Sequence, residues 1–181
     1  KDIKFLVNDI LSEIEPFKPY FIPINKHGLN SRENIIRLEK LFESDKCIVI
    51  FPSGLVSRKK NGIVKDLEWR KTFVTKAKKH NKPIYPVYIS GQNSNRFYKI
   101  AKWRSLIGIK INLEMFFLVD EMFKQKGNTI KITMGKLIEP KLLDNKKNDS
   151  EWAQAIKNHV YKIQNNINFE FIESIKNEKN Y

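Results

Sequence analysis

Phe51-Pro52-Ser53-Gly54-Leu55-Val56-Ser57-Arg58 follows directly on the apolar run Cys47-Ile48-Val49-Ile50. A strand that runs out into proline, small residues and glycine, and then meets a cation, presents backbone N–H groups and positive charge to an anion. Two other loops offer comparable chemistry. Asn25-Lys26-His27-Gly28 follows an apolar stretch over 20–24, and Gly91-Gln92-Asn93-Ser94 follows another over 84–89. Ligands of parallel α/β sheets sit beyond the carboxyl ends of the strands. Loops 25–28, 53–60 and 90–94 are therefore expected to gather into one anion site. Ser53 is not read as a nucleophile, since no Gly-x-Ser-x-Gly elbow surrounds it.

The elements that would position these loops are read from periodicity. Residues 4–7, 20–24, 47–51, 84–89 and 129–134 read as strands, and the unbroken apolar run at 47–51 reads as one buried on both faces. Helical spacing marks 9–17, a helix after Asn30 carrying Ile35, Ile36, Leu38, Leu41 and Phe42, and stretches 97–106 and 113–124. Asn30 with Glu33 forms a capping box, Asp66 is placed to cap a helix burying Trp69, Phe73, Val74 and Ala77, and Ser150 to cap the last helix. Residues 57–65 read as a basic loop turning at Asn61-Gly62. The pattern predicts an α/β fold, a single domain with a largely parallel sheet flanked by helices, over residues 1–172, with a polar tail at 173–181.

Composition limits the function classes. The chain has 181 residues and a net charge of +14. Residues 58–110 hold 15 Lys/Arg against 2 Asp/Glu, and no acid occurs from 69 to 113. Such a face attracts phospholipid headgroups, phosphorylated ligands or nucleic acid. The lone Cys47 excludes an internal disulfide and a cysteine zinc site, and reads as a small buried hydrophobe in a reducing compartment. No uncharged run reaches the roughly 18 residues of a spanning helix. Trp69 and Trp152 are expected to pack, and Trp103, among Lys99, Lys102 and Arg104, suits a membrane interface. His80 and His159 read as surface helix residues.

At these loops the chain resembles the lysophospholipid acyltransferase family, which includes the 1-acylglycerol-3-phosphate O-acyltransferases. Three of that family's four sequence blocks have counterparts in order. Phe21-Ile22-Pro23-Ile24-Asn25-Lys26 resembles the second, Phe51 to Arg58 the third, and Ile84-Tyr85-Pro86-Val87-Tyr88 the fourth. The stretches at 25–28, 54–59 and 91–94, with Asn112-Leu113-Glu114-Met115 and Val119-Asp120-Glu121-Met122, resemble a branch found in Bacteroidetes-type bacteria, some of whose members are linked to aminoacyl-lipid assembly.

The resemblance implies a glycerolipid-acyltransferase-like fold and a bacterial enzyme peripheral on the inner, cytoplasmic face of the membrane. It would move a fatty acyl group from acyl carrier protein or coenzyme A to a lysolipid hydroxyl, in phospholipid or aminoacyl-lipid biosynthesis, with no metal and no cofactor. Lys26, Ser53, Gly54, Ser57 and Arg58 are implied on the acceptor side, with His27, Asn93 and Ser94 near the pocket and Pro52 and Pro86 structural. Lys26 stands where the family has arginine and Ser53 where it has glutamate, so a phosphorylated acceptor loses a bidentate partner and a carboxylate contact. The family's first block, His-x-x-x-x-Asp, supplies the general base. Five residues after His27, His80 and His159 stand Arg32, Tyr85 and Gln164, so no histidine fits. The catalytic pair is expected upstream of Lys1, making this an N-terminally truncated sequence. Two other readings stay open: a nucleic-acid-binding basic domain, against which no zinc-finger, helix-turn-helix or RNA-recognition pattern is found and nucleic acid is not the expected partner, and a catalytically silent lipid-binding domain.

Overall fold

Strand β1 (Ile3–Val7) lies between β2 (Phe21–Pro23) and β3 (Cys47–Val49), both parallel to it, with Phe5 opposite Phe21 and Val49 and Ile3 opposite Cys47. The computed structural model describes residues 2–7, 9–12, 14–24, 32–109, 111–172 and 175. The fold is α/β, as the alternating pattern predicts. The chain divides into two compact units. One comprises Lys1–Gly54, Arg70–Ile84 and Glu139–Ala153, and the other Leu55–Trp69, Tyr85–Ile138 and Gln154–Tyr181. Among the described residues no helix is long and apolar enough to cross a membrane.

In the first unit, α2 (Arg32–Glu43) lays Leu41 and Phe42 on Leu6, with Ile22, Leu38, Ile48 and Ile50 around them. The helix expected at 9–17 is interrupted. A single α-turn, α1 (Asp9–Ser12), gives way to a 3-10 stretch at Glu15–Tyr20 that holds Pro16 and Pro19, which cannot donate to an α-helical ladder. Strand β3 is shorter than expected and half-exposed. Among the described residues it pairs only with β1, so it forms a sheet edge, and Cys47 is exposed rather than buried. Helix α3 (Thr72–Lys79) buries Phe73, Val74 and Ala77 as its spacing predicts.

Two expected caps are corrected. Helix α3 starts at Thr72, while Asp66 accepts the Trp69 indole N–H at 3.0 Å. The last helix, α6 (Asp149–Ile163), is capped by Asn148, whose Oδ1 accepts from the N–H groups of Ser150 (2.9 Å) and Glu151 (3.0 Å). Glu151 returns the contact by accepting the Asn148 N–H at 2.7 Å, a capping box that the Ser150 reading misses by two residues. Asn30 lies outside the described residues.

In the second unit, residues 58–65 form a hairpin, not a loop. Strands β4 (Arg58–Lys60) and β5 (Ile63–Lys65) pair antiparallel, with Arg58 opposite Lys65. Asn61 (φ 50°) and Gly62 (φ 81°) supply the two left-handed residues that a tight hairpin turn requires. Strand β6 (Val87–Ile89) is half the length expected and pairs antiparallel with β7 (Ile132–Met134). Buried Pro86 lacks the N–H that would extend it, and its carbonyl accepts from Gly135 at 2.9 Å. Helix α4 (Asn95–Leu106) and α5 (Leu118–Phe123) flank a 3-10 stretch at Leu113–Phe117. The C-terminal part of α6 buries Ile156, Val160, Ile163 and, contrary to its surface reading, His159, which is fully enclosed.

Candidate functional site

The chain leaves β3 through a tight turn in the first unit. Gly54 donates its N–H to the Phe51 carbonyl at 3.0 Å and has φ 63°, a conformation that only glycine adopts without strain. Arg70 N–H donates to the Pro52 carbonyl at 3.1 Å and pins the turn from behind. Ser53 is half-buried at its apex. The Phe-Pro-Ser-Gly spacing thus encodes a rigid corner at the end of an edge strand.

Ser57 and Arg58 belong to the second unit, where the Arg58 guanidinium is held on several sides. Its Nη1 donates to the Val56 carbonyl at 2.7 Å, and its Nη2 to Glu114 Oε1 at 2.6 Å. Glu114 is completely buried and also accepts from Arg104 Nε at 2.8 Å. Burial lowers the Arg58 pKa and the Glu114 charge opposes that fall, so the group remains a cation. Two guanidiniums on one carboxylate leave one uncompensated positive charge. The arrangement can draw an anion toward the hairpin, but much of the Arg58 fork is spent on protein partners. Glu114 was missed as a site residue. Its signal is that it is the first acid after 45 residues without one.

The 90–94 loop is likewise committed internally. Ser94 Oγ accepts the Phe97 N–H at 3.3 Å, which caps α4, and donates to Glu121 Oε1 at 2.7 Å. The Ser94 N–H donates to the other Glu121 oxygen. Burial pushes the Glu121 carboxyl up, but the Ser94 N–H, Lys124 and the Ser94 hydroxyl outweigh it and hold the pKa below the usual carboxylate value. Asn93 N–H donates to the Tyr98 hydroxyl at 3.1 Å, and Asn93 lines a hollow of about 220 Å³ with Gln92, Met122 and Gln125. Lys59 Nζ donates to Asn95 Oδ1 at 2.7 Å, so the hairpin and the start of α4 do come together. Lys26 and His27 lie outside the described residues.

Neither described histidine is arranged as a base for this site. His80 Nε2 lies 2.9 Å from Glu39, and burial drives the His159 pKa down to about 4, with the Lys162 charge adding to the fall. Glu39, Glu43 and His80 approach one another closely enough to share a cation, but Lys76 and Lys79 already neutralise Glu39.

A family model described as "Acyltransferase" matches residues 1–169. The chain is 40% identical over 161 residues to a lyso-glycine lipid O-acyltransferase of Bacteroides thetaiotaomicron, covering 89% of this chain and 59% of that protein. It is 42% identical over 162 residues to one from Phocaeicola vulgatus, covering 90% and 58%. It thus spans less than two thirds of the length of these relatives. Among solved structures it is similar to the 1-acyl-sn-glycerophosphate acyltransferase PlsC of Thermotoga maritima, with a TM-score of 0.48 and 18% identity over 93% of this chain and 59% of that one. With the family pattern running from β1 to beyond α6, this chain belongs to the acyltransferase family.

Proposed function

We propose that this chain is the acceptor-side portion of a lipid O-acyltransferase whose acceptor is a lyso-glycine lipid and whose donor is a fatty acyl thioester of acyl carrier protein or coenzyme A. The observation that carries this reading is the name shared by two relatives, 40% and 42% identical over about nine tenths of the chain. In the reaction the acceptor hydroxyl loses its proton to a general base and attacks the thioester carbonyl. The oxyanion collapses, the new ester forms and the thiol leaves. No metal or covalent acyl-enzyme is required.

In this reading the rigid corner at Ser53 and Gly54 receives the acceptor. The base comes from residues outside these 181, because no histidine here has an aspartate five positions on. The reaction takes place at the inner face of the membrane, where both the acceptor and the basic surface belong. The test is to incubate the full-length protein with labelled acyl carrier protein or coenzyme A thioesters and a panel of lysolipids. Labelled product from lyso-glycine lipid, exceeding that from lysophosphatidate, is the expected result. Transfer to no acceptor by a folded protein overturns the reading.

A further inference from the structure

We propose that α4 and the segment that follows it form the face by which the protein seats on an anionic bilayer. The proposal rests on the lipid-acyltransferase reading for its choice of a lipid partner, and adds the surface that meets it.

Helix α4 is apolar on two sides. Phe97, Tyr98 and Ala101 face the interior of the second unit. On the other side Trp103, Leu106 and Ile107 are 66%, 69% and 66% exposed, and Ile111 just beyond is 68% exposed. A water-facing helix surface carries polar residues at such positions. Part of this side opens on a hollow of about 640 Å³ whose walls include Ile100, Trp103, Ile107 and Leu113, with Arg96 and Lys99 among its lining residues. The next elements repeat the pattern. Phe116, Val119 and Phe123, spaced three and four apart, are exposed, while Glu121 between them is buried.

Charge selects the occupant. Lys99 and Lys102 make no ion pair with any described residue, and Asp120 nearby is already paired with Lys124 at 2.7 Å. A second copy of the chain would set these lysines against a face equally short of acids. An acidic carrier protein would match the lysines and leave the tryptophan and aliphatic side chains against polar surface. A bilayer containing anionic lipid satisfies both: the apolar groups sink below the headgroups, the indole takes the boundary, and the lysine stems reach back to phosphate.

Among the described residues Trp69 and Trp152 are buried and Trp103 is exposed, so the part of the emission that Trp103→Phe removes reports on this face. The full-length protein is mixed with phosphatidylglycerol-containing vesicles and with purely zwitterionic ones, and followed by sedimentation and tryptophan emission. The expected result is sedimentation with the anionic vesicles alone and a blue shift that Trp103→Phe abolishes. Lys99→Glu with Lys102→Glu lowers partitioning by about tenfold or more, and Leu106→Asn with Ile107→Asn abolishes it, both without loss of thermal stability. A folded wild-type protein that stays in the supernatant overturns the proposal. So does wild-type partitioning in both double variants, or a dimer that Leu106→Asn with Ile107→Asn dissolves while vesicle binding persists. If the lysine variant loses only transfer from acyl carrier protein, the face belongs to the carrier and the proposal fails. Vesicle binding without acyl transfer fails the proposed reaction and leaves this seat standing; normal transfer without vesicle binding does the reverse.

Discussion

Arg58 donates from Nη2 to Glu114 Oε1 at 2.6 Å, joining residues 56 positions apart. Arg104 holds the other oxygen of the same buried carboxylate. Glu114→Gln leaves two guanidiniums facing each other without their counter-charge. Removing one member of a buried ion pair costs about 3–5 kcal/mol. Urea denaturation is expected to show a loss of that size, with the circular dichroism of the folded protein kept at low temperature.

Stability should fall with acid in a window set by His159. Its folded pKa of about 4 lies below the ordinary 6.5, so the neutral ring is the form that folding favours. The unfolded chain binds more protons between those values. The contribution is complete above pH 6.5 and is lost as pH falls toward 4, by up to about 3 kcal/mol. His159→Phe is expected to flatten this part of the profile in denaturation midpoints taken from pH 7 to 4. Glu121 and Asp149, whose pKa values are lowered, add their own losses only below the ordinary carboxylate range.

A side chain at Gly135 would press on its neighbours. A Cβ there would lie 3.0 Å from Ile163 Cδ1 and 3.1 Å from the ring of Pro86. Proline cannot rotate away, so Gly135→Ala is expected to cost about 1–3 kcal/mol as overpacking, read as a lowered melting temperature. Ala at Gly62 tests a different cause: nothing surrounds its Cβ site, and the cost comes from φ alone.

Ser94→Ala removes the α4 cap and one of the contacts to Glu121. A lost cap costs about 1 kcal/mol, and the remaining carboxylate contacts should hold the loop in place. Hydrogen exchange is expected to rise in the first turn of α4 and to stay unchanged in α6.

Ser53→Glu adds a carboxylate at the corner after β3. If the acceptor binds there, the variant should lose transfer to lyso-glycine lipid and gain relative activity on a glycerol-phosphate acceptor, measured as the ratio of the two rates. An unchanged ratio places the acceptor elsewhere.

Apolar periodicity located α3 and α4, because burial of one face is a local pattern and Phe73, Val74 and Ala77 are all inside, but the helices read at 9–17 and 113–124 are each partly 3-10. The hairpin at 58–65 was hidden because Arg58, Lys59 and Lys60 show no apolar alternation, although Asn61-Gly62 is a strong hairpin turn. The run at 47–51 reads as a central strand by composition, but whether a strand lies at an edge depends on pairing, which composition does not carry. The candidate site was legible as a set of loops and not as a set of contacts. Arg58 was visible as a cation, but its commitment to Glu114 arises from residues 56 apart, and no spacing rule connects them.

The division of the chain into two units has a consequence for how it is made. The units exchange the chain after residues 54, 69, 84, 138 and 153. Neither is a continuous segment, so neither can be expressed as a simple truncation. During synthesis the first unit lacks residues 139–153 until residues 85–138 of the second unit have been made. Its last contacts are non-local, and closure of long loops slows such folding. Over that interval α3 lacks Asp149, which accepts from Thr75 and Lys78 in the finished unit, so the unit stays incomplete and chaperone dependence and low-temperature expression are the practical expectation.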